Sequence, residues 1–312
     1  MKLDAIDKKL IKYLYHSYRK PITQIAKACR ISRDQAEYRL KKFESQGFIK
    51  KYVTIFNYAL LGYNEFIIVW LKVSSKKQQI KSSLEKSPNV VSVGETLSKY
   101  DLFVDFVFKD KDEFEEKFSN LLKENKEITH YEVFTTTSSS LYPLKTFGEQ
   151  KEAETYTFMQ PVAKVTLQQK DIALMKALET NGRAKITDLS KKINLSGELI
   201  AYKLKQLYKK KIILGNRIQF DMEKLGFNFA ALKLKLNPLE KNKIKSFCQQ
   251  HKNINALVFG ISKYNCIIQF FYQEEKELRD AIKDINSTFQ QDIQDSELLL
   301  MENEGNVKTL PF

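Results

Sequence analysis

The sequence predicts an α+β chain in which two winged helix-turn-helix domains alternate with two ferredoxin-like βαββαβ domains. Three observations carry that expectation: a long internal repeat, a helical period opening each copy, and a β-α-β-β-α-β order closing it. The repeat divides the chain and is taken first. Under a shift of 164 positions Asp7 falls on Asp171, Leu10 on Leu174, Leu14 on Leu178 and Ile22 on Ile186. Ile31-Ser32 then meets Leu195-Ser196, Tyr38 meets Tyr202, Leu40 meets Leu204, and Ser98-Lys99-Tyr100 meets Ser262-Lys263-Tyr264. The expected units are residues 1–63 and 165–227 (winged helices) and 64–144 and 228–312 (βαββαβ domains). Residues 145–164, polar and weakly periodic, read as a linker.

In the first copy "LDAIDKKLIKYLYHS" places Ile6, Leu10, Ile11 and Leu14 on one helical face. "ITQIAKACR" reads as a second, short helix with Thr23 near its start as cap. Ser32 is expected to cap a third helix from Arg33, its side-chain oxygen accepting from first-turn N–H groups, and Gly47 to end it. "FIKKYVTIFN" alternates and reads as a strand pair, the wing. Beyond it come the strand "EFIIVWLKVS", the helix "KKQQIKSSLEKS", the strands "NVVSVGETL" and "DLFVDFVF", the helix "KDEFEEKFSNLLKE" and the strand "THYEVFTTTS". Copy two repeats this order from "FAALKLKL" to a weaker last strand, "DSELLLM". A four-stranded sheet with helices on one face needs a partner for the other, so each sheet is expected to be covered by the other copy or by a second chain.

The composition, 43% hydrophobic and 29% charged residues, is that of a folded chain rather than a disordered one. The net charge of +14 points towards polyanions. Its distribution is more informative than its size. Residues 1–63 hold ten Lys and four Arg against three Asp and two Glu, a balance of +9. Residues 164–227 hold twelve Lys and two Arg against three Asp and three Glu, a balance of +8, and the remainder carries −3. Localised basic charge is what a nucleic-acid reader needs.

On the helix from Arg33, burial of Ala36, Leu40 and Phe43 leaves Arg33, Asp34 and Gln35 at the N-terminal end, with Tyr38, Arg39 and Lys42 along or beside the outer face. That end of such a helix enters the major groove of double-stranded DNA. Arg reads guanine and Gln reads adenine, while Lys42, Lys50 and Lys51 suit phosphates, and Ser32 at the helix start is counted with the DNA-binding residues. The second copy offers Ser196, Tyr202 and Lys203, but its Gly197, Glu198 and Leu199 replace Arg33, Asp34 and Gln35. Copy two is therefore expected to read sequence less well.

These residues resemble the Lrp/AsnC family of transcriptional regulators. The resemblance is carried by "LDAIDKKLIKYL", "ITQIAKACRISRDQAEYRLKKFESQGFIKKY" and "ALLGY", and by the βαββαβ order of residues 64–144. It implies a sequence-specific DNA-binding regulator that dimerises through its regulatory sheets, here with two units fused in one chain. It further implies control by an amino acid or related small effector near the loop "TLSKYDLF", where Ser98, Tyr100 and Asp101 are the candidate contacts. Copy two has Asn265 at the place of Asp101, and the competing reading of both is a turn that satisfies backbone groups.

Other classes find less support. Cys29, Cys248 and Cys266 are scattered and build no CxxC knuckle, which fits a reducing cytoplasm. "MKLDAIDKK" lacks the apolar core of a signal peptide, and the run Phe66–Leu71 is too short to span a bilayer, so no membrane partner is expected. His16, His130 and His251 show no metal spacing; a P-loop, a GxGxxG and a Ser/His/Asp grouping are missing, and no cofactor is expected. Two alternatives remain: an oligomeric scaffold with degenerate winged helices, and an enzyme like the sirohaem decarboxylases, which resemble this family and rely on histidines in the regulatory part.

Overall fold

A computed structural model describes residues 3–145, 155–158, 165–303, 305 and 307–312. The first copy runs α1 (Ala5–Ser17), α2 (Ile22–Cys29), α3 (Arg33–Ser45), β1 (Ile49–Phe56), β2 (Glu65–Val73), α4 (Lys77–Lys86), β3 (Val90–Thr96), β4 (Leu102–Phe108), α5 (Lys111–Glu124) and β5 (Ile128–Leu141). After β6 (Tyr156–Phe158) the second runs α6 (Gln169–Thr180), α7 (Ile186–Ile193), α8 (Gly197–Lys209), β7 (Ile213–Phe220), β8 (Asn228–Leu236), α9 (Lys241–Gln250), β9 (Ile254–Ile261), β10 (Cys266–Tyr272), α10 (Glu275–Phe289) and β11 (Ile293–Asn303). The alternating winged-helix and ferredoxin-like order is the one the sequence predicts.

Local chemistry sets the helix ends. Asp4 and Asp7 form a reciprocal capping box on α1, and Ser32 with Gln35 forms one on α3. Gly47 follows α3 at φ +68°, a left-handed turn that a side chain would strain. Thr23 is not a cap; the chain enters α2 through Pro21, whose fixed φ suits a helix start.

Two further expectations need correcting. "FIKKYVTIFN" is not a strand pair but one strand, β1, whose partner is β7 of the other copy, with Tyr52 opposite Ile218 and Thr54 opposite Asn216. The linker is not plain coil either: β6 lies within it, pairs with the end of β5 and buries Tyr156. Most of the remaining linker lies outside the described residues.

The wings also exchange cores. Ile218, Phe220, Met222, Leu225 and Phe227 of copy two pack with Leu10, Leu14, Phe43 and Phe48 of copy one. Phe56 and Leu60 of copy one pack with Leu174, Leu178, Ile200 and Leu204 of copy two. Neither winged helix is complete without the other. Gly182 marks a tight approach between them: a Cβ there would collide with the Tyr18 hydroxyl and the Tyr52 carbonyl.

The βαββαβ sheets, β5-β2-β4-β3 and β11-β8-β10-β9, join edge to edge at both ends through β5–β9 and β11–β3 pairs. Eight antiparallel strands thus close on themselves. Closure is possible because β5 and β11 are long: β5 pairs with β2 as far as Thr136 and with β9 from Thr135 on, while β11 pairs with β8 as far as Met301 and only its C-terminal end reaches β3. Alternate side chains divide the two faces. Ile67, Val69 and Leu71 pack outward with Ile80, Leu84 and Phe118, while Ile68, Trp70, Phe134, Ile267, Phe271 and Leu299 fill the interior. Each copy therefore covers the other's bare face. A second chain is thus not needed to cover that face.

Candidate nucleic-acid interface

Burial of Ala36, Leu40 and Phe43 fixes α3 against α1 and α2. Burial of Ile200, Leu204 and Leu207 fixes α8 in the same way. The outer faces then present equivalent tyrosines, Tyr38 67% exposed and Tyr202 59% exposed. Each tyrosine offers a flat ring and a polar hydroxyl to whatever meets that face.

At the start of α3, Arg33 is 64% exposed along its side chain and pairs with Glu37 at 3.0 Å. Asp34 is exposed. The Gln35 side-chain oxygen accepts from the Ser32 N–H at 3.2 Å, while Ser32 Oγ accepts from the Gln35 N–H at 3.1 Å. Both side chains are thus occupied with capping yet remain at the surface. Ser196 caps α8, accepting from the Leu199 N–H at 3.2 Å, and Leu199 is itself exposed. Lys42 is half-buried beside the face, and Lys50 lies 4.0 Å from Asp221.

Three cations expected at DNA are internal struts instead. Arg39 reaches back to α1, 2.5 Å from Asp7 and 2.8 Å from Asp4. Lys203 does the same for Asp171 at 2.8 Å, one repeat later. Lys51 binds Glu179 at 2.6 Å and the Val307 carbonyl at 2.9 Å. A buried carboxylate needs a compensating charge, and each of these satisfies one or ties two copies together.

Sequence reasoning missed a cleft between the winged helices, of about 780 Å³, lined by Arg19, Lys20, Arg33, Lys41, Arg183 and Lys185 together with Glu37 and Glu44. Lys20, Lys41 and Lys185 are exposed there. Arg19 donates to the Gly182 and Ala184 carbonyls, and Arg183 donates to the Tyr52 hydroxyl at 3.3 Å, so this junction is held from both sides. The repeat was the available signal, since residues 18–22 and 182–186 are equivalent and meet across its axis.

The effector candidates are engaged within the chain. Ser98 Oγ lies 3.1 Å from Thr96 Oγ1. Tyr100 is 2% exposed and donates to Glu132 at 2.7 Å. Asp101 accepts from the Val73 N–H at 2.8 Å and pairs with Lys72 at 3.2 Å. Asn265 mirrors it, accepting from the Leu236 N–H at 2.8 Å and donating to the Leu236 carbonyl at 2.7 Å. Both residues fasten a neighbouring strand; of the three candidates Tyr100 is buried, while Ser98 and Asp101 are half-buried.

The histidines lie apart. His130 is exposed and stacked on Tyr100, with ring centres 6.1 Å apart. His251 stands 3.9 Å from Asp284. His16 is half-buried between Tyr15 and Tyr156, and neither ring nitrogen has a hydrogen-bond partner among the described residues. Burial, helped by Arg217, pushes its pKa down to about 3. Among the described residues no group of His, Cys, Asp and Glu is arranged to hold a metal ion, and no helix is long and apolar enough to cross a membrane.

Residues 3–50 match the winged helix-turn-helix DNA-binding family. The HTH-type transcriptional regulators FL11 of Pyrococcus horikoshii and Pyrococcus furiosus are each 34% identical to this chain over 112 residues. Those alignments take in 36% of this chain and 74% of each relative. Across nearly the whole chain the fold is that of the siroheme decarboxylase NirDL, with a TM-score of 0.65, 14% identity, and coverage of 98% of this chain and 94% of that one. At that identity the likeness extends to the two-unit fold alone. Sequence kinship lies with the regulators, and the chain belongs to the Lrp/AsnC family of helix-turn-helix transcriptional regulators.

Proposed function

We propose that the chain is a sequence-specific binder of double-stranded DNA that regulates transcription in the cytoplasm as a single-chain pair of winged helices. One observation carries the reading: the β1–β7 pair and the exchanged cores mount two exposed recognition helices on one rigid frame. A family member with one winged helix per chain obtains that pairing by dimerising. Here covalent fusion supplies it, and light scattering should give a monomer at micromolar concentration. Arg33, Gln35 and Tyr38 are assigned to base edges, with Lys41, Lys42 and Lys50 assigned to phosphates. Tyr202 makes the corresponding contact from α8.

Selection of bound DNA from a random pool, followed by a mobility-shift titration in salt, tests this. A defined site should emerge, and the log of affinity should fall with the log of salt by about 0.9 per phosphate contact. A nearly flat response removes the DNA reading and leaves the scaffold. The enzymatic alternative predicts tetrapyrrole absorbance on the purified chain; dispersal of the three histidines supports the regulator instead. A thermal-shift hit among amino acids that Asp101→Ala abolishes would return the "TLSKYDLF" loop to effector binding.

A further inference from the structure

Inside the closed sheet lies a lysine with no access to water. Lys233 is 0% exposed, and its ammonium is 2.9 Å from Glu132 and 2.5 Å from Glu297. Three rings surround it, with Trp70 at 4.6 Å, Tyr264 at 4.9 Å and Tyr100 at 5.5 Å from the nitrogen to each centroid.

The register shows where this cluster sits. Trp70 lies opposite Phe103 on one side and Glu132 on the other. Lys233 lies opposite Ile267 and Glu297 in the same way. Trp70 and Lys233 are therefore equivalent positions of the two copies, as are Glu132 and Glu297, and Tyr100 and Tyr264. Equivalent residues that touch must meet on the axis relating the copies. The carboxylate and the tyrosine are each present twice, but the centre is unlike: one copy supplies a cation and the other the ring beneath it.

Two carboxylates facing each other in an apolar interior repel, and a single ammonium between them removes the repulsion. The rings add an electron-rich surface that suits the same charge. Burial would raise the Glu297 carboxyl, but Lys233 and Lys99 outweigh it and hold the group below the ordinary range.

We propose that the axis of the paired sheets is a primary-ammonium site built from both halves of the chain, with Lys233 as its resident occupant. Its ligand class is a linear alkylammonium. Glu132 and Trp70 come from one half and Glu297 and Lys233 from the other, so occupancy of this site joins the halves.

The test uses the full chain with Lys233→Ala, which empties the site by the length of a propylammonium. Thermal unfolding should fall by roughly 10 °C. n-Propylammonium chloride at tens of millimolar should recover at least half of that loss, while n-propanol and sodium chloride should not. Lys233→Met, which fills the space without charge, should stay destabilised and ignore the amine. If Lys233→Ala does not fold unaided, the same comparison is read as soluble, folded chain recovered on refolding with each additive. The proposal is overturned by a Lys233→Ala chain as stable as the parent, by no recovery in propylammonium, or by equal recovery in propanol.

Discussion

The helices α3 and α8 share one mounting, and they differ most in the exposed triad at the N-terminal end. Each begins at a capping serine, buries a trio of apolar residues and reaches back to the preceding helix with a cation, Arg39 to Asp7 and Lys203 to Asp171. Each exposes a tyrosine at the same position. The outer N-terminal triads, Arg33-Asp34-Gln35 and Gly197-Glu198-Leu199, have nothing in common but an acid. Duplication has kept what holds the helix and released what the helix shows. A scaffold with two degenerate readers would have no reason to preserve one triad rich in base-reading groups.

The largest effect expected of a single change here falls on the shared framework. Arg39→Ala strands the nearly buried Asp7 carboxylate and should cost about 3 kcal/mol in denaturant unfolding. Lys203→Ala leaves Asp171, which is more exposed, and should cost about half as much. Equal small losses, below about 0.5 kcal/mol, would return both residues to the surface class.

Next comes the reading face. Arg33→Ala should weaken binding to a selected site by about 1–3 kcal/mol and relax specificity locally, whereas Glu198→Ala should leave discrimination unchanged. Matched losses from the two copies in a mobility-shift comparison would break the asymmetry. Gln35→Ala carries a second cost through the Ser32 cap, so its effect on melting is to be measured alongside binding.

A third contrast concerns pH. His16 of copy one is half-buried with both ring nitrogens enclosed, where copy two places the exposed Thr180. The folded state holds the imidazole neutral down to about 3, while the unfolded chain takes a proton near 6.5. Stability is therefore full above the unfolded value and declines as pH falls below it, by about 1 kcal/mol at pH 5.5. His16→Leu should flatten that decline in melting scans between pH 7.5 and about 5.5; an unchanged slope would place the proton elsewhere. The smallest effect is Asp101→Ala, which frees one backbone N–H and should cost about 1 kcal/mol without altering DNA affinity.

Much of this fold was legible because its signals are local. Helical spacing from Ile6 to Leu14, the cap at Ser32, and alternation in the strands all depend on neighbours within a few positions. What escaped depends on partners far along the chain. "FIKKYVTIFN" announces a strand by its period but not that its partner lies some 160 residues away. Charge in a sequence does not say which cations are spent internally, so Arg39, Lys51 and Lys203 looked like Lys41 and Lys42. Lys233, in "FAALKLKL", passes for the wet half of an alternating strand, and the 164-position shift sets it against Val69; only the strand register shows it equivalent to Trp70.

Closure of the eight strands has a consequence for how the chain is made. The first sheet cannot be sealed until β9 and β11 exist, and β11 (Ile293–Asn303) is translated after every other strand and helix of the described residues. At about 5–20 residues per second, the first half waits on the order of ten to thirty seconds for the second. During that time Ile68, Trp70 and Phe134 are bare, the outer edges of β3 and β5 are open, and the Glu132 carboxylate has no cation. The nascent first half is an exposed sheet in search of a partner, and in a crowded polysome the nearest partner is another nascent first half. A chain of this design selects for slow aggregation early in synthesis and for a second half that arrives ready to pair.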